Sequence, residues 1–408
     1  MSSPVASTPA LHAAIAPAVV LVDERRTLYR LAADVFAPGT GLSDNLLDHP
    51  IVRYEIGRAL AGHGGLEPAL LHRAAGLRVR DAGVALAADP QAADLLEAPL
   101  RIIAPPGTSP RPLTEADGPR FEAVVTIVAE GVRLFRRLAP DMAEDLLAHV
   151  SMLAVLKTET SGGVVSASTR YVPGIVLIDE PSTPMEVAEA LVHEGAHEKF
   201  FDLAITREFL DACAEDVEHF ENSWSHARWP LEQTFAAWHA YSCLAQFSTV
   251  CPDQHLGPLS LLPKARERAD EIGRWLLEHE HDLRADARWL LHAMSGAGGA
   301  PERSEVDTSV TSEVREGDRF RVLPGIRFRR AASGRVVVAR PGQPPEVFWL
   351  GADTGWLVDR LGHDGLVQSF DAVVARAIAD WQVDPSTAEA RLRIALGPLI
   401  ASLIVERA

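Results

Sequence analysis

The chain has 408 residues, 47% of them hydrophobic and 23% charged, which is enough apolar content for two or three domains with real cores. A net charge of −17 argues against general nucleic-acid binding, which needs a basic face. No apolar stretch reaches the roughly 20 residues of a membrane span, and Met1–Val22 lacks a basic flank, so no membrane partner is expected.

From Leu21 to Leu156 the Ala- and Leu-rich periodicity predicts mostly helix, including Asp23–Val35, Phe121–Leu138 and Asp141–Leu156. Breaks such as Ala104-Pro105-Pro106-Gly107 separate the helices, and no repeat of solenoid length occurs. Val164–Asp179 alternates in polarity and predicts a strand pair or one bent strand, with Pro173-Gly174 at the bend. Ser182-Thr183-Pro184-Met185-Glu186 is a helix start, with a hydroxyl cap, Pro in the first turn and Glu near the third position. That helix should run to about Ile205, and two more are expected at Leu231–Val250 and Lys264–His279.

Between Ser295 and Glu316 core-forming residues nearly vanish, which predicts a linker. Charge changes there too. From Asp318 onward 12 Arg face 10 acidic residues and no Lys occurs, so that part carries +2 and the residues before it −19. Short strands are expected at Ile326–Arg330, Arg335–Ala339 and Glu346–Leu350. Helices are expected at about Ala352–Leu361, Phe370–Asp380 and Pro385–Glu406, the last capped by Asp384 and kinked at Pro398. The resulting expectation is an α+β chain. Residues 1–294 form a mostly helical metal-binding catalytic domain with a small strand region, 295–317 a linker, and 318–408 a winged-helix-like unit of three strands and three helices.

The chemistry centres on His193-Glu194-Gly195-Ala196-His197, an HExxH set inside a capped, apolar helix. Residues four apart share a helix face, so both imidazoles can hold one metal ion, with Glu194 beside it. The pattern usually signals a zinc hydrolase in which Glu194 is the general base. Two histidines cannot hold a catalytic metal alone, so a third protein ligand is needed.

The C-terminal part, Arg319–Arg407, resembles the PqqD-like RiPP recognition element. The resemblance runs through Leu323-Pro324-Gly325-Ile326-Arg327-Phe328-Arg329, Val347-Phe348-Trp349-Leu350-Gly351-Ala352-Asp353-Thr354-Gly355 and Val383-Asp384-Pro385. It implies that a precursor peptide's leader adds as a strand at Val347, Phe348, Trp349 and Leu350, against the last helix. A winged helix that binds DNA is the alternative for this unit, although its Arg residues are not gathered on one recognition helix.

Leu21–Met294 resembles the HExxH-motif family found beside peptide-modifying pathways. Tyr171-Val172-Pro173-Gly174-Ile175-Val176-Leu177, the HExxH helix, Trp229-Pro230-Leu231 and Leu244-Ala245-Gln246-Phe247 carry that likeness. It implies an Fe(II), 2-oxoglutarate-dependent hydroxylase that uses O₂ on a peptide side chain, typically at Cβ. Its third ligand is expected on the Leu231–Val250 helix, at a position occupied here by Ala236. His239 can replace it, and Glu232 would instead give a gluzincin-like set. In an iron oxygenase Glu194 would orient bound species rather than activate water.

Other candidates are weaker. His279 and His281 are two apart on diverging helix faces and are expected in solvent. His219, Trp224 and His226 either line a substrate channel or simply pack. Arg228, Arg266, Arg268 and Arg274 are candidates for the cosubstrate's distal carboxylate. Cys213, Cys243 and Cys251 have neither CxxC spacing nor an even count; they are expected to pack as apolar groups in a cytoplasmic protein. The alternatives to the hydroxylase are a zinc metallopeptidase holding Zn(II) and a non-catalytic peptide-binding scaffold.

Overall fold

Met152-Leu153-Ala154-Val155-Leu156 is a continuous apolar run, and such a run suits a buried strand as well as a helix. In the computed structural model it is a strand. The structure describes residues 17–103, 107–210, 218–251, 256–295, 314–315, 317–362 and 366–408. The protein is a mixed α+β chain that divides into two units. One comprises Met1–Val22, Asp44–Tyr54 and Glu67–Ser304; the other comprises Asp23–Ser43, Glu55–Leu66 and Glu305–Ala408. Thus Asp23–Ser43 and Glu55–Leu66, which the sequence reading grouped with the catalytic domain, belong to the second unit. The expected linker falls largely outside the described residues, as do Ala104–Pro106 and Cys213.

The N-terminal helices are α1 (Ala18–Phe36), α2 (Asp44–Asp48), α3 (Pro50–Leu60) and α4 (Pro68–Ala75). They are followed by β1 (Val79–Asp81), β2 (Ala85–Ala87), α5 (Ala92–Ile103), α6 (Pro119–Leu138) and α7 (Pro140–Leu147). Next come β3 (Met152–Leu156), β4 (Ser166–Ala167), β5 (Ile175–Asp179) and α8 (Pro184–Thr206). The segment β6 (Phe220–Glu221), β7 (Arg228–Trp229), α9 (Leu231–Ser248), α10 (Ala265–Glu278) and α11 (Ala285–Ser295) completes the first unit.

Its sheet has the order β1-β2-β3-β5-β4. The expected helix over Asp141–Leu156 therefore stops at Leu147, because Met152–Leu156 pairs in parallel with Ile175–Asp179. A strand buried along its whole length carries no polar alternation to betray it. The expected strand pair in Val164–Asp179 is present as β4 antiparallel to β5, and β4 is the sheet's edge.

Helix α8 starts where its capping residues require. Thr183 Oγ1 accepts from the Glu186 amide at 3.3 Å, and the Ser182 amide donates back to the Glu186 carboxylate at 2.8 Å. Buried on nearly every side, α8 is the centre of the unit and packs between α6 and α9. Gly131 permits the α6 approach, since a Cβ there would stand 2.5 Å from Val187 Cβ. This packing fixes α8 in place and with it the His193–His197 turn.

The second unit contains β8 (Arg319–Val322), β9 (Arg327–Arg330), β10 (Val336–Arg340), β11 (Glu346–Leu350) and α12 (Ala352–Leu361). After these come β12 (Gln368–Ser369), α13 (Phe370–Trp381), α14 (Pro385–Ala401) and β13 (Val405–Arg407). Strands β11-β10-β9 form one antiparallel sheet and β12-β8-β13 another. Asp384 caps α14, its carboxylate accepting from the Ser386 and Thr387 amides at 3.0 and 3.1 Å. The last helix was expected to reach Glu406, yet it ends at Ala401. Leu403 turns the chain at φ +54°, and Val405–Arg407 then pairs with β8.

The β10 sheet has two buried faces. Val336, Val338 and Leu350 pack with α12, α13 and α14 through Leu357, Val373 and Leu396. Val337 and Ala339 face α1, where Leu28, Leu31 and Val35 cover them together with Val347 and Trp349. Glu24 of α1, fully buried, accepts from Ser333 Oγ at 2.6 Å and Arg335 at 3.1 Å, and Asp34 pairs with Arg329. These contacts hold α1 from Asp23 onward in the second unit. Among the described residues no helix is long and apolar enough to cross a membrane.

Candidate metal site

One turn of α8 places the His193 and His197 rings 4.8 Å apart, centroid to centroid, and nearly perpendicular at 85°. Both line a cavity of about 590 Å³ together with Glu194. Enclosure lowers both imidazoles to about 4, helped at His193 by the charge of Arg268 and at His197 by His193. At neutral pH the pair is therefore uncharged and keeps the lone pairs that a metal requires.

Glu194 is 3% exposed and held at both oxygens. Ser166 Oγ donates to Oε1 and Ser168 Oγ to Oε2, each at 2.6 Å. Glu194 Oε1 lies 4.0 Å from His193 Nε2. The sequence reading missed both serines. Their signal was the alternation of Val164–Asp179, because residues two apart on an extended segment point the same way.

The third-ligand expectations separate on α9. Ala236 lines the cavity, but it has no donor to offer. Glu232, one turn earlier, also lines it and is paired with Arg170, another cavity residue that the sequence reading missed. His239, expected first as the third ligand, occupies a different place. It is fully buried, does not line the cavity, and its Nδ1 lies 3.0 Å from the carbonyl of Ala196 on α8. The physical reason is rotation: 236 and 239 are three apart, about 60° off one face at 100° per residue, which turns His239 toward the α8 backbone. Among the described residues no three His, Cys, Asp or Glu side chains form a ready-made metal set. The two histidines are the preformed part, and Glu232 is the carboxylate that shares their cavity.

Of the candidate arginines, Arg268 stands nearest. It donates to Tyr241 Oη at 2.8 Å and lies 4.8 Å from the Trp224 ring, while the Tyr241 ring is 5.6 Å from that of His193. Arg228, Arg266 and Arg274 are exposed. Trp224 packs against Trp229 and Tyr241, and His219 and His226 are exposed and outside the cavity lining. His279 stacks on Trp275 at 4.0 Å, and His281 is exposed. Burial raises the Cys243 thiol to about 12 and the Cys251 thiol to about 11, as expected of packing residues.

The back of α8 is anchored by buried polar groups. Glu198 accepts from the Gly174 amide at 2.5 Å, and burial raises its carboxyl well above the ordinary range. Lys199 donates to both Asp145 oxygens at 2.6 Å, and His149 Nδ1 lies 2.6 Å from Asp202.

In the second unit the four expected peptide-binding residues already have protein neighbours. Val347 and Trp349 lie under α1, while Phe348 and Leu350 pack into the opposite core. The outer backbone edge of β11 is left, because β11 ends its sheet.

No family model matches this chain, and no curated protein matches it significantly.

Proposed function

We propose that the chain is an Fe(II)/2-oxoglutarate-dependent hydroxylase that acts on a side-chain carbon, such as Cβ, of a ribosomally made precursor peptide. His193, His197 and Glu232 would hold the ion, and two imidazoles with one carboxylate are the donor set of non-haem iron oxygenases. When bound, the ion together with 2-oxoglutarate and O₂ supplies the hydroxylation of an unactivated carbon. The cavity walls include Phe200, Phe201 and Trp229, which would give the target side chain an apolar lining.

The observation that carries this reading is the double hydroxyl clamp on Glu194. A hydrolytic base needs a carboxylate basic and mobile enough to take a proton from water and pass it on. Each Glu194 oxygen already accepts from a hydroxyl, which fixes the carboxylate and lowers its basicity; this suits a fixed acceptor that orients neighbouring groups better than a hydrolytic base. One observation favours a second reading, the zinc metallopeptidase: HExxH with a glutamate on the following helix is also a hydrolase set.

For the second unit we propose a winged-helix-like, PqqD-like leader-binding domain. The open edge of β11 supports this, since an added strand takes its affinity from main-chain bonds. A linker between recognition and chemistry would raise the local concentration of the core peptide.

The test is anaerobic reconstitution with Fe(II), then O₂, with a short precursor peptide encoded beside this chain. A gain of one oxygen in the peptide, dependent on 2-oxoglutarate and accompanied by succinate, is the expected result. A new cleavage without oxidation would establish the peptidase instead. Leader binding without either change would leave a scaffold.

A further inference from the structure

Ser166, Ser168 and Arg170 occupy alternate positions of one segment, and each engages a cavity carboxylate. The two hydroxyls hold Glu194, and the guanidinium holds Glu232. Arg170 is itself steadied, since its Nη2 donates to Tyr171 Oη at 3.0 Å and the guanidinium lies 5.0 Å from the Tyr171 ring. The best-placed carboxylate for a third ligand is thus already committed to a cation in the metal-free protein.

We propose that Arg170 is a latch on Glu232, and that metal entry turns it into the receptor for an anionic ligand. This rests on the reading that His193 and His197 hold a metal. In the metal-free cavity the half-exposed ion pair neutralises both partners and holds the Glu232 carboxylate on Arg170. A divalent ion that recruits Glu232 must draw it away from Arg170. The cavity then contains the ion, two carboxylates and one guanidinium, which leaves one positive charge in excess. A fork of N–H donors beside that excess suits a small oxyanion bound bidentately, and Arg170 already takes a carboxylate, that of Glu232. Binding is therefore ordered, metal first and anion second. A side chain that only braced the fold would produce no such order.

The experiment uses the full chain with Co(II), whose visible absorption reports ligation, and 2-oxoglutarate as the anion probe, without O₂ or peptide. Removing a half-exposed ion pair should change affinity only modestly, so R170A is expected to bind Co(II) roughly two- to fivefold tighter than the parent. E232Q should bind Co(II) at least about tenfold more weakly. By calorimetry, 2-oxoglutarate should bind the Co(II)-loaded parent, not the metal-free parent, and the loaded R170A should lose at least about tenfold in affinity. R170K, which keeps charge but not the fork, should recover only part of that loss.

Unchanged or weaker Co(II) binding in R170A would overturn the latch. So would loss of 2-oxoglutarate binding in R268A with none in R170A. Failure of the metal reading looks different: H193A and H197A would then bind Co(II) as tightly as the parent.

Discussion

The cavity of the first unit and the β11 edge of the second present opposite kinds of functional surface. In the cavity the chemistry resides in side chains: neutral imidazoles, a clamped glutamate and an arginine–glutamate pair. At β11 the side chains are partly buried by packing on both faces, and among the described residues no strand pairs with its outer edge. A side-chain site must specify residue types at fixed spacing. A main-chain site needs only an extended segment that no neighbouring strand covers. The first is sensitive to single substitutions, whereas the second tolerates most of them apart from proline.

The sharpest way to break this contrast is at the ligands. H193A and H197A should each lower hydroxylation on the order of a thousandfold, about 4 kcal/mol of transition-state stabilisation. Leader affinity, measured by calorimetry, should stay within about twofold. A shared loss of both would mean that the two sites do not act separately.

A smaller effect is expected at the clamp. S166A/S168A leaves the HExxH residues intact and frees both Glu194 oxygens, so hydroxylation should fall about ten- to a hundredfold, as for lost partners of a metal site. If hydrolysis of the same peptide instead rises, the clamp is what separates this cavity from a peptidase.

At β11 the comparison is sharpened by proline. Val347 and Phe348 are consecutive, so one amide points to the β10 ladder and the other to the open edge. V347P and F348P should therefore diverge. One should lose about tenfold in leader affinity, in line with a net bond of about 1 kcal/mol, at nearly unchanged melting temperature. The other should lower the melting temperature by several degrees. V347A, which touches only packing under α1, should leave leader affinity within about threefold, since its main-chain bonds persist.

Much of the scaffold was legible because its signals are local. The Thr183 cap, Pro184 and the apolar lead-in located α8 to within a residue at each end. Asp384 did the same for the start of α14. What escaped depends on partners distant in sequence. Met152–Leu156 is a strand only because Ile175–Asp179 lies beside it, and Val405–Arg407 only because of Arg319–Val322. The assignment of α1 from Asp23 onward to the second unit depends on Val337 and Ala339, some 300 residues away. In the cavity the side-by-side placement of His193 and His197 was legible, and the places of Glu232 and His239 were not. Choosing between Glu232 and His239 needs the rotation of α9 about its axis, and a helix buried nearly all round gives no polar face from which to read that rotation.

The mildest effect expected is in acid. In the folded metal-free protein His193 and His197 titrate at about 4, below the ordinary 6.5, because enclosure penalises the charged ring. Below pH 6.5 the unfolded chain takes up protons that the folded cavity refuses, so the contribution of these groups to stability is complete above about 6.5. It is lost progressively as pH falls toward 4 and levels off beneath that. His49, lowered to about 4 by burial and by Arg53, adds to the same slope from outside the site. Comparing urea unfolding of the metal-free parent with that of H193A/H197A at pH 7 and pH 5 isolates the cavity's share. The parent should lose more stability than the double variant over that interval. Equal losses would mean that the pair is not held neutral.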